Sequence, residues 1–200
     1  EAQSLIAPAS SDAASLLRDV PGVSINGAGG FSSLPAIRGL ADDRLRIKVD
    51  GMDLVASCPN HMNPALSYIN PSNVGSLTVF AGITPVSVGG DSIGGTIIAE
   101  SIAPEFAAPG AESINKGQIG GFYRSNNAAR GGNFSATHAE EAFNLSYDTS
   151  YSKANNYSTG SDFKNSTATG NPGNSSPLDE VASSAYENRN QNLGAAIKLG

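Results

Sequence analysis

Two patterns of hydrophobic and polar positions divide the chain near residue 110. From about residue 114 the pattern is a long alternation of period two, the signature of strands with one apolar face. In AFNLSYDTSY, Phe143, Leu145, Tyr147 and Tyr151 fall on one face, with Thr149 between them, and Asn144, Ser146, Asp148 and Ser150 on the other. NLGAAIKLG repeats this, with Leu193, Ala195, Ile197 and Leu199 set against Asn192, Gly194, Ala196 and Lys198. GQIGGFYR and NFSATHAE are weaker versions. The stretch from Asn155 to Asn190 has almost no apolar periodicity and reads as one extended loop.

The first half has shorter elements. SSDAASLLRDVPG predicts a short helix capped by Ser11 or Asp12, with Leu16, Leu17 and Val20 on its apolar face and Pro21-Gly22 ending it. VSING predicts a strand, and LRIKVDGMDLV a hairpin turning at Asp50-Gly51. A second short helix is expected from Pro71 to Ser76, then strands at SLTVFAG and GGTIIAES, with Leu77, Val79, Ile97 and Ile98 as core. The predicted fold is an α+β unit over residues 1–110, a small mixed sheet with short helices. Antiparallel strands and a long loop follow over 111–200. Strands of about 9–11 residues with an apolar and a polar face suit a transmembrane β-barrel. A soluble β-sandwich alternates too, so periodicity leaves both open.

Composition narrows the classes. Hydrophobic residues make up 39%, with 23 glycines and no Trp, which disfavours a helical bundle. The net charge is −6 with no basic patch, so nucleic acid is not an expected partner. A single cysteine forms no internal disulfide. No run of about 18 apolar residues predicts a transmembrane helix. The start, EAQSLIAPAS, has no signal-peptide pattern, and the end, AAIKLG, stops within a strand-like pattern, which predicts that the natural chain continues.

LLRDVPGVSI, LPAIRGL, RLRIKVDGMDL and VGGDSIGGTIIAES occur in that order. Together they resemble the plug domain of TonB-dependent outer-membrane receptors, with its VPGV helix end, IRG box, VDG hairpin and glycine turn. The last box lacks the family's usual Tyr and Ala but keeps the glycine spacing, and no TonB box is recognisable. The resemblance implies a barrel of about 22 strands closed by this plug. This chain would hold the plug and the first few strands. It also implies a multi-pass location in the outer membrane of a Gram-negative cell, among its lipids, and transport powered through the TonB–ExbB–ExbD complex. Within the boxes, Gly39, Gly51, Gly89, Gly94 and Gly95 stand where positive φ or close backbone approach is expected. Arg38 and Asp50 are expected to pair with each other or with wall groups; the alternative for Arg38 is a side chain lying along the plug surface.

SCPNHMNP, Ser57 to Pro64, holds the candidate chemistry. On a helical turn opened by Pro59, Cys58 and Met62 would share a face. A thiolate beside a thioether is a soft ligand pair that favours Cu(I). His61 and Met52 are possible additional ligands. The plain alternative is a cysteine and a methionine serving only in packing. The segment also resembles the copper-receptor type of the family, which carries C-x-x-x-M in the plug and H-x-M in the barrel; the first motif is present and the second is not. The expected function is thus copper import by a receptor that is not an enzyme, with copper as cargo and no organic cofactor. The alternatives are an iron-siderophore receptor with a structural Cys58, an adhesin or phage receptor using its polar loops, and a secreted β-sandwich.

Overall fold

The computed structural model describes residues 12–28, 30–55, 58, 61, 63–167 and 175–199. The predicted first helix is a single 3-10 turn, Ala13–Leu17, and its cap is Asp12, whose Oδ1 accepts from Ala14 N at 3.1 Å. Leu17 is buried, and Leu16 and Val20 pack partly buried against the same core. Ser11, the other expected cap, lies outside the described residues. The chain then forms an antiparallel pair, β1 (Val23–Ala28) and β2 (Ser32–Ile37).

β3 (Leu45–Val49) and β4 (Met52–Asp53) form the expected hairpin. Asp50 and Gly51 both have positive φ, +50° and +79°, as a two-residue turn between twisted strands requires. The second predicted helix is a 3-10 turn over Pro71–Asn73, capped by Asn70. It is shorter than expected because β5 (Val74–Ala81) begins immediately. β6 (Gly95–Ser101) completes a four-stranded mixed sheet in the order β4-β3-β6-β5, with β3 and β6 parallel. Ile97 is fully buried at its centre, and Leu77 and Val79 pack against that core. Ile98 is not part of it. Successive side chains of a strand point to opposite faces, so Ala99 shares the core face with Ile97.

Two glycines let β6 enter between its neighbours, Gly95 beside β5 and Gly94 beside β3. A Cβ on Gly95 (φ +134°) would stand 2.2 Å from the Phe80 carbonyl oxygen, and one on Gly94 2.7 Å from Leu45 Cδ2. Three hydroxyls, Thr84, Ser92 and Thr96, hydrogen-bond mutually at 2.9–3.3 Å and fasten the glycine-rich loop before β6 to that strand.

Residues 102–113 lead to four long strands: β7 (Ile114–Arg124), β8 (Ala129–Ala139), β9 (Phe143–Ala154) and β10 (Tyr186–Ile197). They form an antiparallel meander in the order β10-β9-β8-β7. β10 begins within the stretch expected to be loop: Tyr186 to Asn190 pair with Ala154 to Ser150. Their side chains, Tyr-Glu-Asn-Arg-Asn, carry no hydrophobic period, so the strand is silent in the pattern. Among the described residues, the loop covers 155–167 and 175–185. It is tied to the β7–β8 turn through Asn126, which accepts from Ser158 N and donates to Ser158 O, both at 2.9 Å.

The polar face of this sheet looks toward the plug unit. Asn144, Ser146, Asp148 and Asn192 line the space between the two, together with Asn73 and Ser101. The apolar face looks away: Ile119, Leu193 and Ile197 are 85%, 72% and 70% exposed. A sandwich would turn that face inward onto a second sheet. Here the orientation is reversed, as in a barrel wall around a plug.

Candidate functional site

The candidate site follows the β3–β4 hairpin. Its far side is anchored by the 3-10 turn Ala65–Tyr68, which buries Leu66 completely. Ser67 fastens this turn by donating both N and Oγ to Pro64 O, at 2.8 and 2.7 Å. Upstream, His61 N donates to Cys58 O at 2.9 Å. His61 has φ +50°, so right-handed helical geometry does not continue through it. The one-face argument for an i, i+4 pair therefore does not extend past His61. Met62 lies outside the described residues, as do Ser57, Pro59 and Asn60. Cys58 is a free thiol, partly exposed.

His61 turns into a cleft of about 320 Å³, lined in part by Asp42, Asp43, Arg46, Asp53 and Asp91. Its Nε2 is 3.7 Å from Asp43 Oδ2, an ion pair when the imidazole is protonated. Met52 is 59% exposed on β4 and does not line the cleft. Among the described residues no three His, Cys, Asp or Glu side chains converge as a metal-binding group.

The cleft contains a residue that the sequence reading missed. Arg46 grips Asp53 with two parallel bonds, Nε to Oδ1 at 2.6 Å and Nη2 to Oδ2 at 2.7 Å. Its Nη1 donates to Gly89 O, tying the hairpin to the glycine-rich loop. The hydrogen bond from Arg46 holds the Asp53 carboxyl below the usual carboxylate range, and the same bond raises Arg46. The hairpin register carried a signal: with Asp50-Gly51 at the turn, Lys48 faces Asp53 and Arg46 stands two residues along the same face.

The pairing expected between Arg38 and Asp50 does not form. Asp50 accepts from Ser101 N and Ser101 Oγ, both at 2.7 Å, stitching the hairpin turn to the end of β6. Arg38 is exposed, with φ +51°, and lies along the backbone of Gly22 and Gly82. Gly39 (φ +81°), Gly51 and Gly89 (φ +155°) have the expected positive φ, whereas Gly94 serves by close approach alone.

The plug unit meets the wall at few points. Asn70 Nδ2 donates to Ser150 Oγ, and Asn144 Nδ2 to Glu105 O at 2.7 Å. Lys116 pairs with the Glu105 carboxylate, and Phe31 stacks on Tyr186 with ring centroids 5.8 Å apart.

A small mixed sheet set against the polar face of long meandering strands defines a plugged-barrel architecture. Residues 1–96 match the family model of the TonB-dependent Receptor Plug Domain. The first 96 residues thus carry a TonB-dependent receptor plug domain. Comparison with curated proteins finds no match. Among solved structures, the chain is similar to the copper transporter OprC, at 25% identity and TM-score 0.71, over 94% of this chain and 26% of that one. It shares its fold with the FrpB iron transporter from Neisseria meningitidis, at 20% identity and TM-score 0.71, over 96% of this chain and 27% of that one. It likewise shares its fold with the siderophore receptor PirA from Acinetobacter baumannii, at 17% identity and TM-score 0.60, over 80% and 25%. The chain thus spans about a quarter of the length of these proteins.

Proposed function

We propose that this chain is the plug and first wall strands of a TonB-dependent outer-membrane transporter whose cargo is copper. The observation that carries the reading is the pair Cys58 and Met62, spaced C-x-x-x-M in a chain similar to the copper transporter OprC. Thiolate and thioether select Cu(I) among the common ions. Cys58 is partly exposed, accessible to an arriving ion. The Asn70–Pro71 and Ala65–Tyr68 turns fix the far end of the segment, so capture would not require the plug core to move. Further ligands come from His61, Met52 or wall residues beyond this chain. Energy enters through TonB with ExbB and ExbD: traction on the plug disturbs the sulfur site and frees the ion inward. The apolar face of β7–β10 meets membrane lipid, and the loop 155–185 lies outside the cell, following the rule of short periplasmic turns and long external loops. No step is catalytic.

Copper stoichiometry on the whole protein, with Cys58→Ala and Met62→Ala variants, tests the site. Loss of bound copper in both is expected; unchanged binding in both overturns the assignment. The second reading, an iron-chelate receptor with Cys58 structural, is favoured by the equal TM-score with the FrpB iron transporter. Growth on iron chelates that is unaffected by either substitution, with no copper phenotype, would support it.

A further inference from the structure

The register of the wall strands brings an ordered set of side chains onto the outward face. Tyr123, Arg130, Lys153 and Glu187 are successive partners across β7, β8, β9 and β10. One row inward, Tyr151 faces Arg189. All stand at the end of the wall that carries the loop 155–185. Lys153 Nζ donates to Glu187 Oε2 at 2.8 Å and Tyr151 OH to Glu187 Oε1 at 3.2 Å, so Glu187 neutralises Lys153. Arg130 is exposed beside Lys153 on β8, and Arg189 is exposed two residues beyond Glu187 on β10; neither has an ion-pair partner among the described residues. Two guanidinium groups thus stand uncompensated on one face of a chain whose net charge is −6.

Their height along the wall selects the ligand. Below them apolar side chains recur on the outward face, with Ile119 beside Phe134, Leu193 beside Tyr147, and Ile197 beside Phe143, interrupted by Thr149 and Gln191 and by Asn115 and His138. The Lys153–Glu187 row is ten residues along β9 from the Phe143–Ile197 row. That is about 34 Å along the strand. At a tilt of about 45° it is about 25 Å along the membrane normal, the height of the apolar band of such walls. The cations and tyrosines therefore sit where the hydrocarbon ends and headgroups begin. Guanidinium forks there match phosphate oxygens in shape and charge.

We propose that Arg130 and Arg189, flanking the Lys153–Glu187 pair, form a docking site for the phosphate of a lipid headgroup in the outer leaflet. The site is separate from the cargo path, on the opposite face of the wall. The proposal rests on the membrane location given above, but not on copper. Lys153 stays engaged with Glu187 and supplies the rigid centre. The tyrosines at the hydrocarbon boundary hold the lipid's upper chain segments against the wall.

The test uses the whole protein, extracted from membranes in a neutral detergent. Micelles doped with phosphatidic acid are compared with micelles doped with diacylglycerol, which lacks the phosphate. Binding is followed by native mass spectrometry of retained lipid. Phosphatidic acid should be retained over diacylglycerol. The variant Arg130→Gln with Arg189→Gln should weaken that retention about 25-fold, at about fivefold per cation near a charged surface. Lys116→Gln, at the other end of the wall, should leave it unchanged. Equal retention by wild type and the double variant overturns the site. Displacement of the lipid by millimolar inorganic phosphate would assign the site to free phosphate instead. Absence of the protein from the membrane fraction would overturn the membrane reading itself, a result distinguishable from failure of the docking site alone.

Discussion

Gly95→Ala should unfold the plug, and the structure says why it differs from other glycine substitutions there. The new Cβ would stand 2.2 Å from the Phe80 carbonyl oxygen, 3.2 Å from Gly82 N and 3.2 Å from Ile37 Cδ1. The nearest atom is backbone, in a β5 strand paired with β6 along seven registered positions. To reach an ordinary contact, one strand must shift by more than 1 Å against a close-packed core, which responds to even a methylene. The residue must also hold φ +134°, a region that costs about 1–3 kcal/mol for an L side chain. Overpacking adds about 1–3 kcal/mol more. The sum, about 2–6 kcal/mol, rivals the about 5–15 kcal/mol stability of a domain. Gly51→Ala is the internal control: φ is +79° but nothing lies within 4 Å of its Cβ position. It should cost only the local strain of the left-handed conformation, about 1–2 kcal/mol. Every member of the main core cluster precedes residue 100, so urea unfolding of a fragment covering residues 1–110 is the natural assay. Gly95→Ala should lower the midpoint well below that of Gly51→Ala or abolish the transition. If the two variants unfold at the same urea concentration, the backbone overlap is not what fixes this position.

Two further outcomes follow from burial and from face. Asp12 is only 5% exposed, and desolvation raises its carboxyl above the ordinary 3.8. Its folded form therefore binds a proton more tightly than its unfolded form. The stabilisation from this group is complete below pH 3.8 and is lost as pH rises through the folded value. Asp12→Asn keeps the cap oxygen and removes the buried charge, so in the same fragment it should be at least as stable as wild type at pH 7, with the advantage shrinking toward pH 4. Asp12→Ala should lose about 1 kcal/mol with the cap; a less stable Asp12→Asn at pH 7 would refute the desolvation argument. On the wall, Leu193→Lys should cost about 2–4 kcal/mol at mid-bilayer and deplete the whole protein from the membrane fraction. Asn192→Lys, one residue away on the plug-facing side, should not; equal depletion would mean the two faces are misassigned.

The parts of this fold legible in the sequence are those whose physics is local. Asp50-Gly51 announced a hairpin because only a few residue pairs accept positive φ twice in succession. The alternation of Phe143 to Tyr151 announced β9, and Pro71 announced a short helical turn, though not its Asn70 cap. The first half of β10 was silent because both of its faces are polar where it leaves the apolar band. Partners distant in sequence were illegible in the same way. Asp50 finds Ser101 across 51 positions and Arg46 finds Gly89 across 43. No spacing rule connects such pairs until the parallel β3–β6 register is known. At the candidate site, C-x-x-x-M gave residue types but not backbone. The positive φ of His61 could not be read from a histidine between Asn and Met, because neither neighbour demands it.

The wall strands raised a choice that periodicity could not make, since sandwich and barrel strands share a period of two. What separates them is which face meets protein. In a sandwich, the face rich in Leu, Ile and Tyr must be the interior, because burying it is the driving force. In this chain, the side meeting protein is Asn144, Ser146, Asp148, Ser150 and Asn192. Among the described residues the contacts made there are hydrogen bonds, one ion pair and one ring stack, Phe31 on Tyr186, rather than a continuous apolar seam. Such contacts exchange readily with water and add little net stability. Burial therefore cannot be what orients the sheet. The exposed apolar rows make sense only if a second apolar phase covers them, and an ordered run about 25 Å high, edged by tyrosine and arginine at one end, has the dimensions of hydrocarbon. The same inversion explains why the inward face is poor in charge but rich in Asn and Ser. Asn and Ser let that face hydrogen-bond to the unit it meets without burying a charge.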